Sequence, residues 1–324
     1  MRAYGLPRCS TEEAAILVRS GKPAVVKDIE ASHMIAGSRH TPPVQFTQNS
    51  ALFALVMGAV HRYDLCDSVF RGNSMEQWKA LRSPEEMIRR AQLKAVIAQP
   101  GRDEVTGFAI VGQPFASGDL LCLRRFPAST FGPGYVSVWH RAPSGQWTIY
   151  TSVAAELSCP RFVGAAASRV VDETPITVNW TGPSDISVQV PSANLQWSTR
   201  VTSTLVTRLM NIMMSAMPAV LFRNNAVLSI MSLMSTAMLS AGRFRLRGHM
   251  PNRQWFQAGP RLVWVVAEAH ATIEGRDLGP AAPLAAQVML GEVPLPQRGI
   301  LMSGTFSFEE YTSGRHLSPR AFVA

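Results

Sequence analysis

The chain has 324 residues, 47% of them hydrophobic and 16% charged, with a formal net charge of +9. This balance excludes a largely disordered chain, and the length holds one large domain or two of ordinary size. Lysine is confined to Lys22, Lys27, Lys79 and Lys94, so nearly all the positive charge is arginine, a residue suited to gripping carboxylate or phosphate and unable to form an imine.

Cys9, Cys66, Cys122 and Cys159 lie far apart with no CxxC pair, and the chain opens without a charged start and apolar run. Reduced thiols and a cytoplasmic location are the expectation. The arginines are scattered, and neither zinc-finger spacing nor an RNA-binding aromatic signature occurs, so no specific nucleic-acid partner is expected.

In chain order, Ser10-Thr11-Glu12-Glu13 reads as a capped helix start, with a stop at Gly21. Ala51, Leu52, Leu55, Val56 and Val60 share one side of a helix predicted over about 49–61. Ser83-Pro84-Glu85-Glu86 opens another, predicted to run to about Ala98. Beyond residue 105 short strands take over. They are predicted at Phe108–Gly112, Leu120–Arg125, Tyr135–Arg141 and Trp147–Thr151, the last two joined by Pro143-Ser144-Gly145. Val170–Asp172, Ile176–Trp180, Ile186–Val190 and Leu195–Thr202 continue the rhythm.

Residues 203–240 interrupt it. Leu205, Leu209, Ile212, Met213 and Ala216 recur at helical spacing up to Pro218, and a second helix is predicted from Asn225 to Leu239, stopped by Gly242. Strands resume at Arg243–His249, Trp255–Ala258, Leu262–Val266 and Ala271–Glu274, and a Pro-rich tail leads to a last strand, Ile300–Phe308. The expected fold class is α+β: an antiparallel β-barrel or cone over residues 105–324 with a Met-rich helical pair inserted at 203–240, preceded by a mainly helical region over 1–104.

The segment Phe131-Gly132-Pro133-Gly134-Tyr135 enters a strand holding Trp139, His140 and Arg141, and Glu156 then precedes Cys159-Pro160-Arg161-Phe162-Val163-Gly164. This succession, with the later Met250-Pro251-Asn252, resembles the acetoacetate decarboxylase-like superfamily over roughly residues 105–280. The resemblance implies a conical β cavity. It also implies that the position of the family's Schiff-base lysine is held by Arg161, with Phe162 beside it, and that the acid on the Gly-Pro-Tyr strand has no counterpart. Decarboxylation through an imine is thereby excluded, because a guanidinium stays protonated and is a poor nucleophile.

The expectation is therefore a small-molecule enzyme of lyase, isomerase or cyclase type, working without a cofactor on a hydrophobic carboxylic or keto compound. Arg161 and Tyr135 are expected to bind the substrate head, Met213 and Met234 its apolar tail, and His140 or Glu156 to move a proton. His140 and Trp139 are neighbours on a strand, so only one of them faces inward. Arg161 beside Cys159 raises the question of a reactive thiolate. His249 and His270 lack a ligand pattern, and no metal is expected. A lipocalin-like binding protein for an apolar ligand and a self-assembling structural protein are the alternatives. A homo-oligomer through the Met-rich segment, and contact with a membrane surface rimmed by Arg208 and Arg223, stay open.

Overall fold

The computed structural model describes residues 83–93 and 101–317. The helices predicted over 10–21 and 49–61 lie outside the described residues. The helix predicted after Ser83 is α1, Pro84–Leu93, where the Ser83 hydroxyl accepts from Glu86 N–H at 3.2 Å and Glu85 and Glu86 fill the positive end. Its Ile88 is buried among the side chains of the sheet, which begins at Arg102.

Strands β1 (Arg102–Pro114), β2 (Leu120–Ser129), β3 (Tyr135–Arg141), β4 (Trp147–Thr151) and β5 (Arg169–Val171) come first. Short turns and the one-turn helix α2 (Pro160–Val163) carry the chain from β4 to β5, which is why that pair runs parallel. The strands β6 (Thr177–Gly182), β7 (Asp185–Val190) and β8 (Leu195–Thr202) follow. After helices α3 (Leu205–Ala216) and α4 (Asn225–Met238) come β9 (Arg247–His249), β10 (Trp255–Ile273), β11 (Arg276–Asp277), a separate hairpin of β12 (Met289–Leu290) and β13 (Val293–Pro294), and β14 (Ile300–Glu309). The sheet order is β5-β4-β3-β2-β1-β14-β10-β8-β7-β6, with β9 and β11 also paired to β10.

Alternation gives the sheet two working faces. On β2, Leu120, Cys122 and Phe126 join one buried cluster while Leu121 and Leu123 join the other; on β3, Tyr135 and Trp139 part from Val138 in the same way. The sheet curls around the second cluster. Arg125 Nη1 donates to Val178 O at 3.1 Å, and the Phe108 and Trp180 rings are 6.2 Å apart, so β6 returns to within contact of β1 and β2. The inside of this curl is filled by Phe108, Trp197 and Trp264, all nearly inaccessible. Each such side chain contributes about 1.5–3 kcal/mol of burial. The α+β class with a curled sheet stands as expected. Its inside is a packed core, and the outer face carries the cavity.

Three strands expected between residues 255 and 274 are one 19-residue strand, β10. Pro260 is accommodated because it sits at a register shift: it pairs with Gly304, and Leu262 then pairs with Ser303. Gly304 is needed there for closeness. A Cβ on it would run into the carbonyl oxygen of Gly259, which is backbone and cannot swing away. Gly304→Ala is expected to destabilise by about 1–3 kcal/mol, the cost of overpacking, read as a shifted denaturation midpoint.

Of the strand expected over 243–249, only Arg247–His249 is laddered. The alternation persists, with Phe244 and Leu246 buried and Arg243 and Arg245 exposed.

The helical pair packs on the outer face. Thr204 caps α3 in a reciprocal box with Thr207, and Asn224 caps α4 by accepting from Ala226 N–H (2.9 Å) and Val227 N–H (3.2 Å). Buried Asn211 ties α3 to β10, donating to Val263 O (3.1 Å) and accepting from Val263 N–H (2.6 Å). No helix among the described residues is long and apolar enough to cross a membrane.

Candidate functional site

A cavity of about 70 Å³ lies on the outer face of the sheet. Its floor is Val111 of β1, Arg124 and Phe126 of β2, Tyr135 and Trp139 of β3, and Met302 and Phe306 of β14. Cys159, Phe162 and Val163, around α2, form one wall; Phe244, Leu246 and the Leu290–Leu295 segment close it from above. The lining is mostly carbon. The volume amounts to on the order of five water molecules, at about 10–15 Å³ each, and suits a molecule of a handful of non-hydrogen atoms.

Arg124 is the buried charge in this lining. It is only 8% exposed, and among the described residues it has no carboxylate partner. Its position follows from the local fold. The β1–β2 register slips between Ile110 and Gln113, and the bulge leaves carbonyls off the ladder. Arg124 Nη1 donates to Ile110 O (2.7 Å) and Leu123 O (3.0 Å), and Nη2 to Val111 O (3.3 Å). Its guanidinium lies 4.3 Å from the centre of the Trp139 ring. Three carbonyls leave part of the five-donor fork uncommitted, and a buried cation without a counter-ion carries a desolvation cost that an incoming anion relieves.

A second guanidinium, that of Arg245, reaches the lining from the exposed segment above, where its Nη1 donates to Glu292 O at 3.3 Å. The polar groups on the floor and the α2 wall are neutral. Tyr135 Oη and Cys159 Sγ are 3.5 Å apart, and Trp139 Nε1 donates to Ser137 Oγ at 3.0 Å. Burial pushes the Cys122 thiol up to about 12, raises that of Cys159, and lifts the Tyr135 phenol well above its usual value. The thiolate considered at Cys159 is therefore disfavoured: burial outweighs the stabilising hydrogen bond from Tyr135 and the charge of Arg124. Both thiols are expected to resist alkylation at neutral pH until the chain is unfolded, which peptide mapping after iodoacetamide would read.

The remaining residues picked out in the sequence are dispersed. Tyr135 lines the cavity. Arg161 turns away from it: Nε donates to Asp103 Oδ2 at 2.9 Å, and the guanidinium packs over Phe131 (5.3 Å) and Tyr311 (5.5 Å). Trp139 takes the cavity-facing position on β3, on the outer side of the sheet, which sends His140 to the opposite face. There its Nε2 is 2.6 Å from Asp119 Oδ1. Glu156 is exposed on the turn Ala155–Leu157. Met213 and Met234 are half-buried on α3 and α4 and do not line the cavity, whereas Met210, Met214 and Met231 are buried in the outer-face cluster. All four lysines fall outside the described residues. Arg124 had one sequence signal: an arginine in the apolar run Leu120-Leu121-Cys122-Leu123, on the parity of Cys122 and Phe126.

Asp119, outside the cavity, forms a second polar centre. Arg276 holds it in a fork, with Nη1–Oδ2 at 2.7 Å and Nη2–Oδ1 at 2.9 Å, opposite His140. Burial raises its pKa, but the hydrogen bonds from Arg276, His140 and Ser117 prevail and hold the carboxyl at about 2. This cluster ties the start of β2, the end of β3 and the β10–β11 hairpin together.

The chain resembles acetoacetate decarboxylase. The solved structure of that protein from Legionella pneumophila is similar over 72% of this chain and 95% of its own, at 8% identity and a TM-score of 0.29. No protein-family model matches the chain, and no curated protein matches it.

Proposed function

We propose that the cavity receives a compact molecule with an apolar body and one carboxylate or keto oxygen, anchored by Arg124. The observation that carries this reading is a buried guanidinium, with no carboxylate partner among the described residues, opening on an apolar cavity. An ionised partner gives such a cation a charge-assisted, fork-like contact. The polar headgroup would be fixed at Arg124, and the apolar remainder at Phe126, Met302 and Phe306. On this reading the chain is a cofactor-independent enzyme of lyase, isomerase or cyclase type. Tyr135 and Cys159, kept protonated by burial, stand in the lining as donors of a hydrogen bond or proton to a carbonyl that develops negative charge.

The same neutrality favours a second reading, carriage of the ligand without chemistry, because Tyr135, Cys122 and Cys159 offer no base at neutral pH. One experiment separates the two. Butyrate, its α-keto and β-keto analogues and their methyl esters are titrated calorimetrically, and the same mixtures are followed by proton NMR in deuterium oxide. The acids are expected to bind and the esters to bind more weakly. Protein-dependent exchange or conversion of a keto acid supports the enzyme, and binding without either supports the carrier. No binding by any of the acids would remove the cavity as the site.

A further inference from the structure

Helix α4 is apolar on both sides. It buries Leu228 and Met231 together with Ser232 and Ser235, and the Ser232 hydroxyl accepts from Leu246 N–H at 3.0 Å. Its exposed side is apolar: Ala226, Ile230, Leu233 and Ala237 follow one another at spacings of four, three and four, the repeat of a single helical stripe. Ile230 is 60% exposed and Leu233 71%. Val220, in the turn Ala219–Arg223 that packs on α4, is 66% exposed. The buried side already supplies the helix with its packing through Leu228 and Met231, so the exposed aliphatic stripe is surplus to the fold and is shaped for a partner.

The charge around the face identifies the chemistry of that partner. The stretch of chain from residue 186 to residue 267, which contains the helical pair, has no Asp or Glu and eight arginines. Of these, Arg200 on β8 is paired with Asp185 and Glu268, and Arg247 donates to Ser229 of α4. Arg208 of α3 and Arg223 of the turn between the helices are exposed and have no carboxylate partner among the described residues. A second copy docked through the same patch would set these cations against each other with no acid from the segment to offset them. We propose that the α3–α4 face docks on an anionic lipid surface, the aliphatic stripe entering the acyl boundary and the two arginines meeting the headgroup phosphates.

The test is flotation of the full chain with phosphatidylcholine vesicles with and without phosphatidylserine, at low and high salt. Wild-type protein is expected to float with the anionic vesicles and to be released by salt. Arg208→Gln and Arg223→Gln should each weaken the partition about five-fold, the equivalent of about 1 kcal/mol per basic residue. Ile230→Ser with Leu233→Ser should weaken it about ten-fold or more while leaving the melting temperature unchanged, since both side chains are exposed. Equal flotation with neutral vesicles would overturn the electrostatic half of the proposal. Failure to float with anionic vesicles would overturn all of it, and so would a dimer that the serine pair dissolves with no flotation at all.

Discussion

Arg124→Gln is expected to raise the Kd of a short-chain carboxylate about 10- to 150-fold, corresponding to the ~1.5–3 kcal/mol of a hydrogen bond to a charged group. Glutamine keeps an amide that can still reach one freed carbonyl of the β1–β2 bulge, so the floor of the cavity stays closed while the charge is lost. Arg124→Lys separates charge from geometry. It retains the cation and loses the planar fork and its stacking on Trp139, and should fall between the two. The methyl esters supply the control, because a ligand without charge gains little from the guanidinium and should lose little with it. Calorimetric titration reads all three. A carboxylate Kd that does not move in Arg124→Gln would take this residue out of the site, whatever else the cavity binds.

The second large effect belongs to stability. Asp119→Asn is expected to lower the unfolding free energy by about 2 kcal/mol, the amount set by the depressed carboxyl, since Arg276 and His140 then face a neutral amide and the half-exposed Arg276 falls back on water. The wild-type contribution has a defined acid limit. The folded pKa of about 2 lies below the ordinary carboxylate value of 3.8, so the unfolded state takes up the proton first. The stabilisation is therefore fully present above about pH 4 and is lost as pH falls towards 2, a change of about 2 kcal/mol. Urea denaturation across that range should show the step in the wild type and a shallower one in the variant. An unchanged midpoint for Asp119→Asn at neutral pH would mean that the cluster does not hold the strand ends together.

Neither residue was singled out by a motif, and the reason is physical in both cases. Arg124 follows the alternation of β2, but the carbonyls that receive it are freed by a bulge on β1, where the chain advances three residues against two on β2, and nothing in the β2 sequence announces that bulge. Asp119 meets Arg276 across 157 positions of chain, a distance at which the two residues carry no sign of each other. The residues that did attract attention share a short stretch, 131–164, but strand parity and a single helical turn scatter them. Tyr135 points to the cavity, His140 to the other face, Glu156 to solvent and Arg161 to Asp103.

What can be read without coordinates is local. The strand and helix periods, the Pro143-Ser144-Gly145 hairpin, the Ser83 cap and the stop before Pro218 each depend on a few neighbouring residues, and among the described residues each appears where the sequence places it. The alternation over 243–249 survives even where the ladder does not form. Only the tertiary structure decides which side of the sheet is hollow. The curl brings β6 back onto β1 and β2 and fills the inside with Trp197 and Trp264, so the space left over lies outside, under the segment after α4 and the β12–β13 hairpin. Both faces are apolar in the sequence. Which one packs solid depends on how far the strands twist and what returns to cover them, and that is a property of all the strands together.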